Sequence, residues 1–238
     1  KDLDVLVMTS RNITEEPIAY KNDEALLKLK NIADYFLLHN REIHIRCDDS
    51  VIKPFSEGLI FIRRARGYVP SPIKLMKKGK NTLACGAQLK NTFCLTKGYY
   101  AFLSHYIGDL DNLEAIKAYE EGIEHFKKIF KISPEIVIHD LHPDYFSTIY
   151  ALKTNLKRVG IQHHFAHALS CMAENNLEGP TLAVVMDGTG YGEDKTIWGA
   201  EFMEVTVKEY KRLGHLKYIE LPGGEKAIRE IWRMGVVY

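Results

Sequence analysis

The chain has 238 residues, of which 46% are apolar, and carries 32 Lys and Arg against 31 Asp and Glu for a formal net charge of +1. That length suits one large or two modest domains with a sizeable core. Charge that nearly cancels excludes a bulk electrostatic nucleic-acid binder, and the apolar runs are too short for a membrane span. No signal peptide is read at the start. Cys47, Cys85, Cys94 and Cys171 form no C-x-x-C pair, so they are expected as reduced packing residues of a cytoplasmic protein. The chain enters a strand pattern at once and stops just after a helix-like run, each without a partner to bury against, so a fragment of a longer protein is expected.

In chain order, residues 3 to 8 (LDVLVM) predict a buried strand and residues 9 to 17 (TSRNITEEP) a polar turn. Residues 22 to 33 predict a helix, with Asn22 as N-cap and Ala25, Leu26, Leu29 and Ile32 at helical spacing. Residues 35 to 38 and 51 to 64 are strand-like. The segment RRARGYVPSPIKLMKKGK (63 to 80) combines proline, glycine and a basic run and reads as a linker, with Lys77, Lys78 and Lys80 solvated. Beyond it one order of elements occurs twice, three strands closed by a helix. The first copy is TLACGA, NTFCLTKG and YYAFLS. The second is TLAVVMDGTG, TIWGAEFMEV and an extended stretch around Arg212 to Leu221, followed by a helix from about Gly224. Such a duplication suggests two pseudo-equivalent lobes. In the first helix, Asp111 and Glu114 have capping-box spacing, and Leu113, Ile116, Ile123, Phe126 and Phe130 line one face until Ser133-Pro134. A strand at 135 to 140, a helix at 144 to 157, a strand at 159 to 162 and a helix from 164 to 175 complete an α/β pattern.

Four segments carry groups suited to chemistry. In QHHFAH, His163 and His167 stand four apart on one helix face. They are either a divalent-metal pair awaiting a carboxylate or third histidine, or two hydrogen-bonding histidines at a helix start; His164 points elsewhere. The zinc-protease glutamate is absent. MDGTGYGED (186 to 194) is either a glycine-rich phosphate turn, with Asp187 placed to hold Mg²⁺ or a metal-bound water, or a plain hairpin turn. Its counterpart GAQLKNT offers Lys90 to a phosphate, and the two turns would face each other across a nucleotide cleft. TSRNITEEP gathers Thr9, Ser10, Asn12 and Thr14 as phosphate donors or as an Asx/ST turn. RCDDS (46 to 50) and RRARG (63 to 67) add cations, with Ser50 and Arg64 taken as nucleotide contacts. In DLHPDY, Asp140 and His142 follow a strand end where ligands gather, His142 as a substrate contact, unless Pro143 and Asp144 only start the next helix.

Taken together, MTSRNITEEPI, NIADYFLLHNREIHIRCDDSV and IRRARGYVPSPI resemble the C-terminal half of the YrdC-like domain of HypF-type carbamoyltransferases. LACGAQLKNTFCL, SHYIGDLDNLEA, DLHPDY, QHHFAHALSCMAEN, MDGTGYGEDKTIWGAEF and LPGGEKAIREIWRM resemble the start of the following domain. That domain is related to the tRNA threonylcarbamoyl-transfer ATPase and shares the actin/Hsp70-like fold. The resemblance implies an α/β chain with residues 1–72 in the YrdC-like domain, 73–80 as linker and 81–238 in the incomplete, duplicated actin/Hsp70-like domain. It implies an ATP-dependent carbamoyltransferase of [NiFe]-hydrogenase maturation. Carbamate from carbamoyl phosphate is activated with ATP and Mg²⁺ as carbamoyl-adenylate, and the carbamoyl group passes to the C-terminal cysteine of a HypE-type acceptor. Ser10 and Asn12 would contact ATP or the adenylate. His163 and His167 would ligate iron or zinc, and Asp187, Gly188, Thr189 and Gly190 would lie near nucleotide phosphates. Zinc-finger zinc would belong only to a segment upstream. The chain departs from the family pattern at Arg11, at Thr14-Glu15 and at Ala200. The alternatives are a tRNA threonylcarbamoyl transferase-like enzyme and a non-catalytic nucleotide-binding relic.

Overall fold

A computed structural model describes residues 5–10, 12–13, 16–55 and 58–237, the Glu225 side chain excepted. The chain divides into two compact units, residues 1–161 and 162–238. In the first, α1 (Asn22–Leu29) precedes a hairpin of β1 (Val51–Phe55) and β2 (Gly58–Arg63). Then come β3 (Ile73–Ala84), β4 (Cys94–Leu103), α2 (Leu113–Phe130), β5 (Ile136–Asp140), α3 (Phe146–Lys153) and β6 (Lys157–Ile161). Their sheet has the order β4-β3-β5-β6, with β3 antiparallel to β4 and parallel to β5, which is parallel to β6. The second unit holds α4 (His163–Glu174), an antiparallel sheet of β7 (Thr181–Tyr191), β8 (Ile197–Val205) and β9 (Tyr210–His215), and short helices α5 (Glu225–Arg229) and α6 (Trp232–Val237).

The core of the first unit forms because one face of α2 lands on the β3–β4–β5 sheet. Ala115, Tyr119, Ile123 and Phe126 are buried against Leu83, Phe93, Leu95 and Val137. Phe93 meets Tyr119 and Phe126 edge-on, at centroid distances of 6.0 and 5.2 Å, the geometry ring quadrupoles favour. Gly122 lets α2 come close, since a Cβ there would lie 3.1 Å from Phe93 Cε1. The Tyr119 hydroxyl donates to the Cys85 carbonyl at 3.0 Å. At the far end Lys131 adopts φ 51° as the left-handed cap, and Lys97 Nζ donates to the open carbonyls of Phe130 and Lys131.

Several sequence expectations change. Residues 5–8 form no strand and are exposed; the rest of that predicted strand lies outside the described residues. Helix α1 stops at Leu29, its N-cap is Lys21, and Asn22 is its first residue, whose amide donates to the His39 carbonyl. Residues 35–38 are not a strand, and 51–64 split into the hairpin. Residues 73–80, expected as a linker, run inside β3, where Ile73 and Lys74 pair with Ala101 and Tyr100. NTFCLTKG and YYAFLS merge into the single strand β4, with Gly98 at φ 61° where the register to β3 shifts. The α2 cap is Asn112 rather than Asp111, its side chain accepting from Ala115 N at 2.8 Å, and Leu113 faces water at 69% exposure. All four cysteines are free, as expected, but Cys171 is exposed rather than packed.

His105 is 4% exposed. Burial, with Arg46 and His125 adding to it, pushes its pKa from an ordinary 6.5 down to about 4. The unfolded chain therefore takes up this proton first. The stability that the neutral ring contributes is fully present above pH 6.5 and lost as pH falls towards about 4, by roughly 3 kcal/mol. Denaturant unfolding from pH 7 to pH 4 should show this slope, and His105→Asn should flatten it; equal slopes would refute it.

Candidate functional site

Helix α4 begins at His163, so His163 and His167 fall one turn apart on one face. It packs against β7 and β8. Asp187 stands on β7, and the three side chains converge: His163 Nε2 is 3.1 Å from Asp187 Oδ2, His167 Nε2 is 3.6 Å from Oδ1, and the two Nε2 atoms are 3.3 Å apart. A tetrahedral ion with bonds of about 2.0–2.1 Å has donor edges of about 3.3 Å, so two imidazoles and one carboxylate fit a divalent metal. Hydrogen bonds from His163 and then His167 hold the Asp187 carboxyl well below the usual carboxylate range, against the opposing effect of burial. Sequence spacing pairs the histidines; the fold supplies the carboxylate from 20 residues downstream.

The glycine-rich run is a bulged strand rather than a loop. Met186 pairs with Ala200 and Gly190 with Trp198, so residues 187, 188 and 189 arch opposite Gly199 alone. Gly188, at φ 95°, has open space where a Cβ would be, so it is the glycine free to bring its backbone to a ligand. Gly190 and Gly192 serve packing: a Cβ would lie 2.3 Å from His164 Cε1 at the first and 2.1 Å from Trp198 Nε1 at the second. The tight turn follows at 192–196, where Asp194 Oδ1 accepts from Thr196 N, Thr196 Oγ1 and Trp198 Nε1. Beneath lies a buried ion pair that the sequence does not announce, Glu201 with Arg212 at 2.6 and 3.1 Å.

The remaining candidates belong to the first unit. Ser10 Oγ donates to Asn12 Oδ1 at 2.6 Å, and Asn12 Nδ2 donates to the Ile13 and Glu16 carbonyls, the local bonding of an Asx/ST turn. Arg11, Thr14 and Glu15 lie outside the described residues. Ser50 Oγ donates to the Arg66 carbonyl and accepts from Ala65 N, which places it beside Arg64. Arg64 Nη2 donates to the Tyr68 and Ser71 carbonyls, while its Nη1 is buried without a hydrogen-bond partner among the described residues. Lys90 sits at φ 48° with its backbone N–H on Asp109 Oδ1 and its side chain exposed. His142 stacks on Tyr145 at 4.1 Å; its backbone N–H goes to Asp140 Oδ1, and its Nδ1 accepts from Asp144 N.

Among the described residues no helix is long and apolar enough to cross a membrane. Three family models match: HypF Kae1-like domain over residues 77–174, Carbamoyltransferase, Kae1-like Domain, second subdomain over 183–238, and the Sua5/YciO/YrdC family, described as Telomere recombination, over 1–65. Carbamoyltransferase HypF2 of Cupriavidus necator is 47% identical over 237 residues, covering 97% of this chain and 29% of its own. Carbamoyltransferase HypF of Rhizobium leguminosarum bv. viciae is 46% identical, covering 97% and 30%. The crystal structure of full-length HypF in the phosphate- and nucleotide-bound form superposes with a TM-score of 0.93 at 52% identity, covering 96% of this chain and 36% of that one. For HypF of T. kodakarensis the TM-score is 0.86 at 40% identity, covering 93% and 29%. The chain thus spans about 30% of the length of these curated relatives. It belongs to the HypF carbamoyltransferase family, in which it runs from the end of the YrdC-like region into the start of the actin/Hsp70-like, Kae1-related domain.

Proposed function

We propose that this chain is the part of an ATP-dependent carbamoyltransferase that joins an adenylating site to a metal-assisted transfer site. The observation that carries the second site is the convergence of His163, His167 and Asp187 beside the open backbone of Gly188. Relatives named carbamoyltransferase support the reaction class, and the phosphate- and nucleotide-bound relative supports nucleotide binding. Residues 1–72 belong to the YrdC-like domain and 81–238 to the transfer domain, so residues 73–80 bridge them although they lie in a strand.

In this reading carbamate, released from carbamoyl phosphate, attacks the α-phosphorus of ATP and expels pyrophosphate, giving carbamoyl-adenylate. The C-terminal cysteine thiolate of a HypE-type acceptor protein then attacks the carbamoyl carbon and expels AMP. Arg64 brings its positive charge to the developing negative charge, with Ser50, Ser10 and Asn12 shaping the same site. Asp187, Gly188, Thr189 and Gly190 lie along nucleotide phosphates in the transfer site; in the first unit Lys90 offers a point charge to a phosphate and His142 a contact to substrate. A divalent iron or zinc ion on the histidines, with Mg²⁺ on the nucleotide, would polarise phosphate or carbamoyl oxygens. The protein works in the cytoplasm, on carbamoyl phosphate and ATP, without nucleic acid.

The intact parent protein is expected to convert ATP to AMP and pyrophosphate only when carbamoyl phosphate is present. Dependence on threonine instead would assign it to threonylcarbamoyl transfer, and no AMP from the folded, metal-replete protein would remove the assignment.

A further inference from the structure

His164 is fully buried between the two histidines that face Asp187. Its Nε2 lies 3.1 Å from the Gly199 carbonyl. A carbonyl only accepts, so Nε2 carries the hydrogen and Nδ1 the lone pair. Nδ1 is 3.2 Å from Gln162 Nε2, which donates to it and also reaches the Tyr191 carbonyl at 3.2 Å. The orientation of the Gln162 amide is fixed independently, because its Oε1 accepts from Phe165 N at 2.9 Å as the cap of α4. Every polar atom of the pair therefore has an assigned partner, and one chain of hydrogen bonds ties the first turn of α4 to both β7 and β8.

The tie acts on the two residues flanking His163. It ends on Gly199, the single residue opposite the arch that carries Asp187. The fit there is close on both sides: Gly190 has no room for a Cβ beside His164, and a Cβ on Gly199 would lie 3.2 Å from the Gly188 carbonyl oxygen. His164 cannot itself be a ligand, since both ring nitrogens are engaged and the ring is sealed from solvent.

We propose that His164 and Gln162 are the positioning pair of the metal site: they set the distance and angle at which His163 and His167 face Asp187. This rests on the metal-binding reading above. Groups that orient ligands in this way change metal affinity by about 10- to 100-fold when removed.

The test uses the intact parent protein stripped of metal at this site. Cobalt(II) titration is followed by its visible d–d absorption, as the difference from a His163→Ala, Asp187→Ala control. His164→Phe fills the space but cannot donate to Gly199. It should weaken cobalt binding by about 10- to 100-fold and alter the band. His164→Gln, which keeps a donor near the Nε2 position, should restore both to within about threefold of wild type, well below that range. Gln162→Met should weaken binding as His164→Phe does, and decides the matter should His164→Phe not fold. Wild-type affinity and spectrum in the folded His164→Phe and Gln162→Met proteins would overturn the proposal, even if thermal stability of the metal-free protein fell. Wild-type protein with no signal over the control would sink the metal reading itself, and this inference with it.

Discussion

Asp187→Asn should weaken divalent-cation binding by at least about 100-fold, because it removes the one anionic donor and leaves two neutral imidazoles. The amide keeps the shape of the carboxylate, so the arch of β7 and the 3.3 Å approach of the two histidine nitrogens should persist. On the proposed function, acceptor carbamoylation should fall with the metal while adenylation at the other site continues; the two are separated by following pyrophosphate release and acceptor carbamoylation in parallel. Binding in the wild type should also weaken as pH falls, since protonated imidazoles cannot ligate. Calorimetric titration of metal-stripped protein checks both, and an unchanged affinity in Asp187→Asn would move the metal elsewhere.

Loss of Glu201 should be the most damaging single change to the second unit. Its carboxylate is fully buried and receives Arg212 through Nε and Nη2. The guanidinium is sandwiched further: it lies 3.9 Å from the centroid of the Trp198 ring, and its Nη2 donates to the Tyr218 hydroxyl at 2.6 Å. Glu201→Ala leaves that cation with only the longer, 3.9 Å approach of Asp194 for an anion, and breaking a buried pair costs up to about 3–5 kcal/mol. In a chain of this size that lowers the melting temperature by roughly 6–20 °C. The Glu201→Met, Arg212→Met double variant should recover most of the loss, because replacing both members of a buried pair by apolar groups is often neutral. A double variant as unstable as Glu201→Ala would show that the polar contacts of Arg212, rather than its unpaired charge, set the cost.

Some of this was legible in the residues alone. The i,i+4 spacing of His163 and His167 predicts their shared face because helix geometry is local. The apolar period of α2 predicts its buried face for the same reason, apart from its first residue, Leu113, which stands clear of the sheet. Asp187 as third donor was not legible: its place depends on α4 packing against β7, a contact that no local pattern encodes. The run KLMKKGK misleads because β3 is solvated over most of its first eight residues, so neither hydrophobic alternation nor a buried run marks it as a strand. Residues 5–8 mislead in the opposite direction, being apolar and yet exposed. The packing of Gly190 against His164 and of Gly192 against Trp198 was not legible, because glycine records only that a side chain is excluded, not whether a ligand or a neighbouring ring excludes it.

The arch in β7 also governs which changes in chain length this part of the molecule tolerates. Three residues span the place of one, an excess of two, so the side-chain alternation of β7 is in the same phase on either side of the arch. Removing both extra residues would give a plain hairpin with its faces preserved but with nothing lifted towards α4. Removing just one would put every residue from Gly190 onward on the wrong face, driving the Tyr191 side chain to where Gly190 now passes His164. Chain length along this strand is therefore constrained by parity as well as by chemistry: paired deletions would leave the sheet intact without the arch, and single-residue deletions disrupt both.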